Sequence, residues 1–524
     1  MSTKEESASP FQVDLRDQSD AAEDQAVGAF GYRQEFRRRL RFFALFAVSF
    51  SFVSITTGIF LNYGVGIANW GPASIWLWLL VGAFQLVVAL VVAELGTRIP
   101  LAGFVYQWSA RLVNSTYGWF VGFAALAAMT VSAGAIFLLV TSPLLLSEFN
   151  INAPSPRLVL LVAFLLLLVT TVINIISVQL AARVNTIAVV TEIIGTVVFG
   201  VLLFVLWGVH AKPSHYGMGF LGNTTGLVHS PTWYAITLAG LLGIYTLVGF
   251  EVAADLSEEC VNTRRNVPRA VLMALSSAVL LGMIALIGFT IAIPDLKSVQ
   301  TSPLPLLTIA QYWLPAWVVK VFIAFVIFSM VAIIVVGVAA QSRLVFSLAR
   351  DNMLPFSKYL RRVNPKTRTP IVAMIVLGVL NVGFMIYGYF QANSFNTLIG
   401  MTAIVPYIIY FMITLAYALK RRVLEEVPGA FSLGRAAPVV IGVVLVWTVI
   451  VMLALSAPSR FYGSDKLLGG AAVLAGLWYL VALKRRLREG RAGVTTLAHL
   501  EEVADGAGAA PGTGPSAPQE VRPE

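Results

Sequence analysis

The stretch from Gly243 to Pro268 reads GIYTLVGFEVAADLSEECVNTRRNVP, and it decides the fold of this chain. It begins as the end of an apolar segment that is about long enough to cross a bilayer. An acidic residue, Glu251, lies within this apolar run, and a densely charged segment follows it. A carboxylate is costly in a helix that faces lipid, so we expect this helix to face the interior of a helical bundle.

Two glycines, Gly243 and Gly249, flank Tyr245 and Thr246 in this stretch. Glycine lets a helix break at little conformational cost, and a break leaves backbone groups without partners. Such groups are tolerated at membrane depth only where protein or a water-filled cavity covers them. The stretch therefore predicts a broken membrane helix beside a cavity, as in a solute transporter, with half of the binding site at the break.

The composition places the chain in a membrane. Hydrophobic residues make up 58% of the 524 residues, compared with roughly 45–50% in soluble domains. The only cysteine, Cys260, excludes an internal disulfide and a metal site built from cysteines. The four histidines, His210, His215, His229 and His499, fall in predicted loops or in the tail and are expected to be solvated. We therefore expect no metal and no cofactor.

Apolar runs of nearly 20 residues recur along most of the chain, so we predict an all-α polytopic membrane protein. The twelve predicted spans cover residues 42–66, 73–97, 117–145, 157–176, 184–209, 232–256, 270–293, 316–342, 370–391, 396–419, 437–457 and 467–483. The polar residues 1–35 and residues 491–524 are predicted to be disordered cytoplasmic tails on either side of a transporter domain, residues 36–490.

The basic residues orient these spans. If both ends of the chain are cytoplasmic, 30 of the 36 Lys and Arg residues lie on the inner side. The others are Arg157, Lys212, Lys297, Lys320, Arg460 and Lys466. This bias predicts a multi-pass protein of the cell membrane with both termini in the cytoplasm. Because the positive charge is spread over short loops on one face, we expect it to contact membrane lipid and not nucleic acid.

The first span contains a second candidate break, SFVSITTGIF at residues 51–60. Four hydroxyl groups within seven residues, followed by Gly58, suit an unwound helix that binds a carboxylate or a cation. The same small residues also suit a helix-packing face. The interruption in the sixth span favours the first interpretation, because paired interruptions in corresponding spans indicate an inverted-repeat transporter with a site near the membrane midplane.

Several of these motifs carry a family resemblance. The segments SITTGI (residues 54–59) and AELGTRIPLAG (residues 93–103) with Tyr106 resemble those of the amino acid, polyamine and organocation permeases. The same is true of GFEVAADLSEE (residues 249–259), which is followed by RNVPR (residues 265–269). The resemblance covers roughly residues 36–490.

The eighth span points to one branch of this family. Its end, AQSRLVFSLARDNMLPFS (residues 340–357), with VNPKTRTP (residues 363–370), most resembles the amino acid/choline transporter branch. One position departs from the pattern, because Phe104 stands where the family usually has a second glycine. The resemblance implies a five-plus-five inverted repeat, with repeat one at about residues 42–209 and repeat two at about 232–419. Two extra helices, at about residues 437–483, and alternating access to a central site are also implied.

The resemblance also implies a substrate site at the two breaks. At the first break, the substrate carboxylate or its equivalent would meet Ser54, Thr57, Gly58 and Ile59. At the second break, Tyr245 would be an aromatic gate over the substrate, although an ordinary packed aromatic is the alternative. Thr246 is its neighbour at this break, and Glu251 could hydrogen-bond the unwound segment or meet the substrate amine.

Glu192 is the most informative residue outside the breaks. It follows Arg183 by nine residues, or about 13 Å of helix, which places it near the middle of a hydrocarbon layer roughly 30 Å thick. An acid there costs about 2.5–3.5 kcal/mol, so we expect it to face the bundle interior, where removal from water favours its protonated form. Many relatives carry a lysine at the aligned position. Glu192 is thus a candidate proton-coupling group or counter-charge for a cationic substrate, and a structural hydrogen bond is the alternative.

Two further sets of residues are assigned smaller roles. Ser329 in the eighth span is a candidate hydroxyl near an ion-like site. The acids at the end of the sixth span are expected to form cytoplasmic ion pairs that lock one state, each worth on the order of 0–1 kcal/mol. The residues of these pairs are Asp255, Glu258 and Glu259 with Arg264, Arg265 and Arg269, and Glu94 with Arg98.

These observations predict a secondary active transporter, or permease, for an amino acid or related amine, with proton symport as the expected coupling. No nucleotide-binding GxxxxGK[ST] loop occurs, and no His or Cys cluster supports a membrane enzyme. The sequence leaves open neutral amino acids, 4-aminobutyrate, polyamines and choline-like cations as substrates. The alternatives are a choline or polyamine transporter, an exchanger of the same fold, and a substrate sensor that does not transport.

Overall fold

The fold is known from a computed structural model, which describes residues 40–151, 153–176, 178–209, 216–227, 232–367, 369–391, 394–424 and 430–497, with Gly28, Phe30 and Tyr32. The four histidines and most of both predicted tails lie outside these residues. Within them the chain is helical and contains no named strand, although a parallel bridge pairs Leu40 with Cys260.

The first half of the chain forms the helices α1 (Phe42–Val53), α2 (Ile55–Trp70), α3 (Trp76–Arg98), α4 (Phe104–Leu112), α5 (Ser115–Ile136), α6 (Ser142–Glu148), α7 (Pro156–Ile176), α8 (Val178–Ile193), α9 (Phe199–Val209), α10 (Thr232–Thr246) and α11 (Val252–Asp255). The second half forms α12 (Thr263–Ile291), α13 (Leu296–Thr301), α14 (Pro305–Trp313), α15 (Ala316–Arg350), α16 (Ser357–Leu360), α17 (Ile371–Phe390), α18 (Ser394–Lys420), α19 (Ala437–Ser456), α20 (Tyr462–Trp478) and α21 (Lys484–Arg488). Single π-helical turns join α5 to α6, α8 to α9 and α20 to α21.

The prediction of an all-α polytopic membrane protein is confirmed. Among the described residues, eleven helices are long and apolar enough to cross a membrane. The remaining predicted span, residues 232–256, is divided into α10 and α11. With 15 residues, α10 is shorter than the roughly 20 residues that a complete span needs.

The first break lies inside the predicted segment, at Ser54. This residue has φ 41° and ψ 80°, a left-handed conformation that ends α1 and starts α2. The Ser54 hydroxyl accepts a hydrogen bond from the backbone N–H of Thr57 at 3.4 Å. Side-chain capping of this kind stabilises a helix N-terminus that has no preceding turn.

The second break begins within the predicted segment, residues 243–249, after Thr246. Gly243 was expected at its start but stays inside α10, where a Cβ would come within 2.9 Å of the Val81 Cβ. Its lack of a side chain serves helix packing. The helix ends at Thr246, and Gly249 adopts φ +90°, a conformation that favours glycine.

The two breaks pack directly against each other. A Cβ on Gly58 would overlap the Thr246 side chain, and a Cβ on Gly249 would overlap the Phe52 ring. Around this contact α2 packs on α10, α1 on α12, α15 on α8, and α18 on α5. The interlocked breaks are therefore the centre of the bundle.

The end of the bundle that the sequence predicts to be cytoplasmic holds residues from both ends of the chain. The backbone N–H of Gly493 donates to the Asp351 carbonyl at 2.9 Å, and Arg111 Nη1 donates to the Thr495 carbonyl at 3.2 Å. Arg111 Nη2 donates to the Phe30 carbonyl at 2.9 Å. The packed part of the chain thus continues past residue 490, the predicted end of the transporter domain.

The contact between the breaks predicts that a side chain at residue 58 is not tolerated. We expect Gly58→Ala to lower the melting temperature of the purified protein and to reduce transport, since overpacking costs about 1–3 kcal/mol. The control is Gly442→Ala, at an exposed glycine of α19 with no atom within 4 Å of its added Cβ. Equal melting temperatures for the two variants would contradict the close packing of the breaks.

Candidate functional site

A cavity lies between the two breaks. The space open to the centres of water molecules within it is about 110 Å³, several times the roughly 10–15 Å³ that one water needs. Its lining consists of Phe52, Val53, Ser54, Thr57, Gly58, Phe104, Ala125, Ala128, Met129, Ser132, Ala133, Ile136, Tyr245, Thr246, Val248, Gly249, Glu251, Val252, Ile333, Ile334, Gly337, Gln341, Thr402, Pro406 and Ile409. An apolar lining with a few polar groups is typical of a small-molecule site.

Most of the predicted site residues line this cavity. They are Ser54, Thr57, Gly58, Tyr245, Thr246 and Glu251. Three others do not line it. Ile59 is 1% exposed and packs in the core, while Glu192 and Ser329, at 1% and 2% exposed, lie behind the lining.

Other polar residues of the cavity were not predicted. The Tyr245 side chain interacts with Ser132 on α5 and with Thr402 on α18. Gln341 on α15 also lines the cavity, and so does Phe104 at the start of α4. The signal in the sequence was weak, because each of these residues is isolated in its own segment and suits helix packing equally well.

Side chains from three helices satisfy the carbonyl groups that the second break releases. Gln85 Nε2 donates to the Leu247 carbonyl at 2.9 Å, and the Tyr407 hydroxyl donates to the Ile244 carbonyl at 3.0 Å. The Ser49 hydroxyl donates to the Phe250 carbonyl at 2.7 Å. The broken backbone is thus covered by protein on one side and by the cavity on the other, as membrane depth requires.

Glu251 is the charged residue of the cavity lining. Its carboxylate accepts a hydrogen bond from the Tyr410 hydroxyl at 2.8 Å, and the Phe250 ring stacks on the Tyr410 ring. The same hydroxyl accepts from the Gly249 N–H at 3.4 Å. Tyr410 therefore holds the Glu251 carboxylate at the edge of the second break, where it remains half-buried beside the cavity.

Glu192 contacts the first break from behind. Its Oε1 atom accepts from the Ser54 hydroxyl at 3.1 Å and from the Thr56 N–H at 3.0 Å. A carboxylate at this position faces the N-terminus of α2, where the helix macrodipole favours negative charge. The π-helical turn that follows Glu192 brings Thr196 within hydrogen-bond distance of the Thr56 hydroxyl. Ser54 thus touches Glu192 on one side and the cavity on the other.

Carboxylates lie beyond the second break, at the end of the bundle that the sequence predicts to be cytoplasmic. The Gly103 N–H donates to Asp255 Oδ1 at 2.7 Å, and the Ala102 N–H donates to Glu258 Oε1 at 2.9 Å. Both amides belong to the loop between α3 and α4. These bonds tie that loop to the inner end of the broken sixth span.

The ion pairs of this region differ from the predicted ones. Glu259 pairs with Arg343 at 2.9 Å, and Glu258 pairs with Arg350 at 3.4 Å, and both arginines belong to α15. The arginines expected as their partners, Arg264, Arg265 and Arg269, are exposed. The acids are buried and face α15, so a distant helix supplies their partners. The predicted pair of Glu94 with Arg98 is present at 2.8 Å.

The same end of the bundle also holds a buried cluster around Asp351. Its carboxylate accepts from the hydroxyls of Tyr32 and Tyr106, each at 2.8 Å. The Arg350 guanidinium lies 3.6 Å from the centre of the Tyr32 ring. Burial and the Asp351 carboxylate raise the pKa of Tyr32 above its usual range, so its hydroxyl remains a hydrogen-bond donor. Across the described residues, no group of three His, Cys, Asp or Glu side chains is placed to hold a metal.

The sequence from residue 40 to residue 475 matches the family model described as "Amino acid permease". The chain belongs to the amino acid permease family. The match covers the two breaks, the cavity and the acids Asp255, Glu258 and Glu259. The predicted membership of the amino acid, polyamine and organocation permeases is thus confirmed.

Individual relatives of this permease agree with that assignment. Amino-acid permease BAT1 of Arabidopsis thaliana is 27% identical over 458 residues, which are 82% of this chain and 87% of that protein. An uncharacterized amino-acid permease of Schizosaccharomyces pombe is 29% identical over 413 residues, 76% of this chain and 72% of the relative. The GABA-specific permease of Saccharomyces cerevisiae is 25% identical over 505 residues, 88% of this chain and 85% of the relative. These proteins are named as transporters, in agreement with the expectation that the chain is not an enzyme.

The hydrogen bonds at the second break predict that Gln85 stabilises the permease. We expect Gln85→Leu to lower the melting temperature in detergent, because a buried carbonyl that loses its donor costs about 1–3 kcal/mol. Thr448→Val is the control, since that hydroxyl donates to carbonyls of its own helix, α19. If Gln85→Leu melted no earlier than the control, the Leu247 carbonyl would not depend on this donor.

Proposed function

We propose that this permease is a secondary active transporter that moves an amino acid or related amine across the cell membrane by alternating access, with proton symport. The observation that carries the proposal is the position of Glu192, whose carboxylate binds the N-terminus of α2 behind the cavity. A change in its protonation acts directly on Ser54, which lines the cavity. The coupling group and the substrate site thus share one residue.

The charges of the cavity support an amine substrate. Glu251 is a carboxylate, and no Lys or Arg is among the described residues that line the cavity. A zwitterionic or cationic amine would therefore have a partner of opposite charge, whereas a second carboxylate on the substrate would meet neutral groups only. The relatives named as amino-acid and GABA-specific permeases favour an amino acid over a choline-like cation.

We assign the substrate groups to the two breaks. The substrate carboxylate binds at the first break, near the hydroxyls of Ser54 and Thr57 and the open surface of Gly58, with Ile59 in the next helical turn. The amine binds near Glu251 and the end of α10. Tyr245 and Thr246 line the same space, and Tyr245 serves as an aromatic gate. Hydroxyl donors at the start of a helix suit an anion, and the Glu251 carboxylate, in the break between α10 and α11, suits a cation.

The hydrogen bond between Ser54 and Glu192 gives a mechanism for coupling. When Glu192 is ionised, it accepts the Ser54 hydroxyl. When Glu192 is protonated, this hydroxyl can donate to the substrate carboxylate instead. A substrate carboxylate at Ser54 in turn favours the neutral form of Glu192, because like charges repel. Proton and substrate therefore each favour binding of the other, as linkage requires.

Ser329 lies at the height of Glu192. A Cβ on Gly195, three residues after Glu192, would lie 3.2 Å from the Phe325 Cβ. The helices α8 and α15 pack side by side and run in opposite directions in the predicted topology. We therefore expect Ser329, one turn beyond Phe325, to lie at the level of Glu192. The Ser329 hydroxyl has no hydrogen-bond partner among the described atoms. We assign it to the coupling site as a second polar group.

The orientation proposed for the protein follows from its basic residues. Most of the Lys and Arg residues lie in the tails and in the predicted inner loops, and few lie in the predicted outer loops. This bias supports a cell-membrane protein with both termini in the cytoplasm. The charged pairs below the second break then lie on the cytoplasmic side. Alternating access would require these pairs and the bonds from Ala102 and Gly103 to open.

The test of the proposed function is uptake by purified protein in proteoliposomes. The panel contains labelled neutral amino acids, 4-aminobutyrate, putrescine and choline, with and without an inward proton gradient. We expect gradient-driven accumulation of an amino acid. Exchange without accumulation would reject proton symport, accumulation of choline or putrescine would reject the amino acid substrate, and binding without flux would identify a sensor.

Coupling through Glu192 predicts a specific defect in Glu192→Gln. Glutamine keeps an acceptor for the Thr56 N–H but cannot exchange a proton. We expect exchange of labelled for unlabelled substrate to stay close to the wild-type rate and gradient-driven accumulation to be lost. The control is Glu489→Gln, at an exposed carboxylate beyond the last membrane helix. Accumulation that stays intact and pH-dependent in Glu192→Gln would refute this role.

A further inference from the structure

Gln341 is a buried polar residue of the cavity that the mechanism above does not use. It lines the cavity, it is 1% exposed, and its Oε1 atom has no hydrogen-bond partner among the described atoms. A buried acceptor without a partner costs on the order of 1–3 kcal/mol. Gln341 differs from other unpartnered amides, such as Asn381, because it lines the cavity, where a ligand can supply the missing donor.

The helix α15 places Gln341 at the cytoplasmic end of the cavity. Ile333, Gly337 and Gln341 follow one another at intervals of four residues and line the cavity from one face of this helix. Two residues beyond Gln341, Arg343 pairs with Glu259 on the cytoplasmic side. Gln341 is therefore the last lining residue of α15 before that ion pair.

Glu251 lies towards the same end. The contact of Gly58 with Thr246 marks the middle of the interlocked breaks, and that of Phe52 with Gly249 lies nearer the cytoplasm. Glu251 follows Gly249 in the chain and is still closer to the cytoplasmic side, where α11 ends at Asp255. The hydroxyls of Ser54 and Thr57 lie between the two contacts in the chain. The cavity thus separates its hydroxyl donors from its carboxylate along the membrane normal.

We propose that Gln341 and Glu251 together bind the ammonium group of the substrate at the cytoplasmic end of the cavity, and that Gln341 selects ω-amino acids over α-amino acids. This inference rests on the proposed function. An ammonium group has three donors, which can satisfy the Gln341 amide oxygen and the Glu251 carboxylate at once. The carboxylate of the substrate, bound at Ser54 and Thr57, must then be separated from the substrate ammonium by several ångströms.

The chain length of the substrate follows from this separation. An α-amino acid has one carbon between its ammonium and its carboxylate and cannot place them at opposite ends of the cavity. An ω-amino acid of the length of 4-aminobutyrate has three carbons between them. The apolar side chains between the two ends, including Val53, Val248 and Ile334, suit such a methylene chain.

The experiment compares Gln341→Met, Gln341→Glu and the wild type with 4-aminobutyrate, 5-aminovalerate, alanine and leucine. Uptake gives KM and kcat, and ligand-dependent thermal stabilisation gives binding separately. We expect Gln341→Met to raise KM for the ω-amino acids by about tenfold or more, as for a lost hydrogen bond to a charged group, and to raise KM for alanine much less, so that the ratio of the KM values changes. Gln341→Glu keeps an acceptor and should retain ω-amino acid binding.

A matched control removes an equivalent buried amide elsewhere. Asn381 on α17 is buried, has an unpartnered Oδ1 atom and does not line the cavity, so Asn381→Leu should not change the ratio of the KM values. Three results would overturn the role of Gln341: an unchanged ratio in Gln341→Met, loss of ω-amino acid binding in Gln341→Glu, or a wild type that prefers alanine. A wild type that is stabilised by 4-aminobutyrate but does not transport it would refute the proposed function and keep this assignment.

Discussion

The contact between the two broken helices is the constraint on which the rest of the structure depends. Gly58 packs on Thr246, and Gly249 packs on Phe52, so neither break can move without the other. A break at membrane depth needs partners for every released backbone group. Distant helices supply them, through side chains such as Gln85 on α3 and Tyr407 on α18. The cavity is therefore the part of the broken region that the surrounding helices leave open.

The same arrangement connects the cavity with groups that lie behind and below it. Glu192 contacts the start of α2 through Ser54 and the Thr56 amide, so its charge acts on the first break. Beyond the second break, Asp255 accepts from the Gly103 amide and joins this break to the loop before α4. A charge at a helix N-terminus is worth about 0.3–1 kcal/mol at a surface and up to about 2 kcal/mol when partly buried. Since 1.4 kcal/mol corresponds to a tenfold change in an equilibrium constant, protonation at this position is sufficient to bias two states of similar free energy.

The sequence predicted the parts of this site that depend on local chemistry. The hydroxyl-rich segment around Ser54 and the glycine at residue 249 each indicate a break in a helix, because helix termination depends on local sequence. Gly243 itself stays inside α10, since a glycine that packs against Val81 looks identical in the sequence to one that ends a helix. Gln341 was missed and the partners of Glu258 and Glu259 were misassigned for a related reason. Their roles depend on residues far away in the chain, and no local pattern records which face of α15 meets the cavity.

The central claim is that proton and substrate binding are linked through Glu192 and Ser54. The most direct test measures the pH inside proteoliposomes with a trapped fluorescent dye after substrate is added outside, with no imposed gradient. The account predicts that influx of a transported amino acid acidifies the lumen in the wild type. It also predicts that Glu192→Gln, loaded with unlabelled substrate, exchanges substrate with no change in lumenal pH. Robust substrate influx into wild-type proteoliposomes at constant lumenal pH would contradict the account.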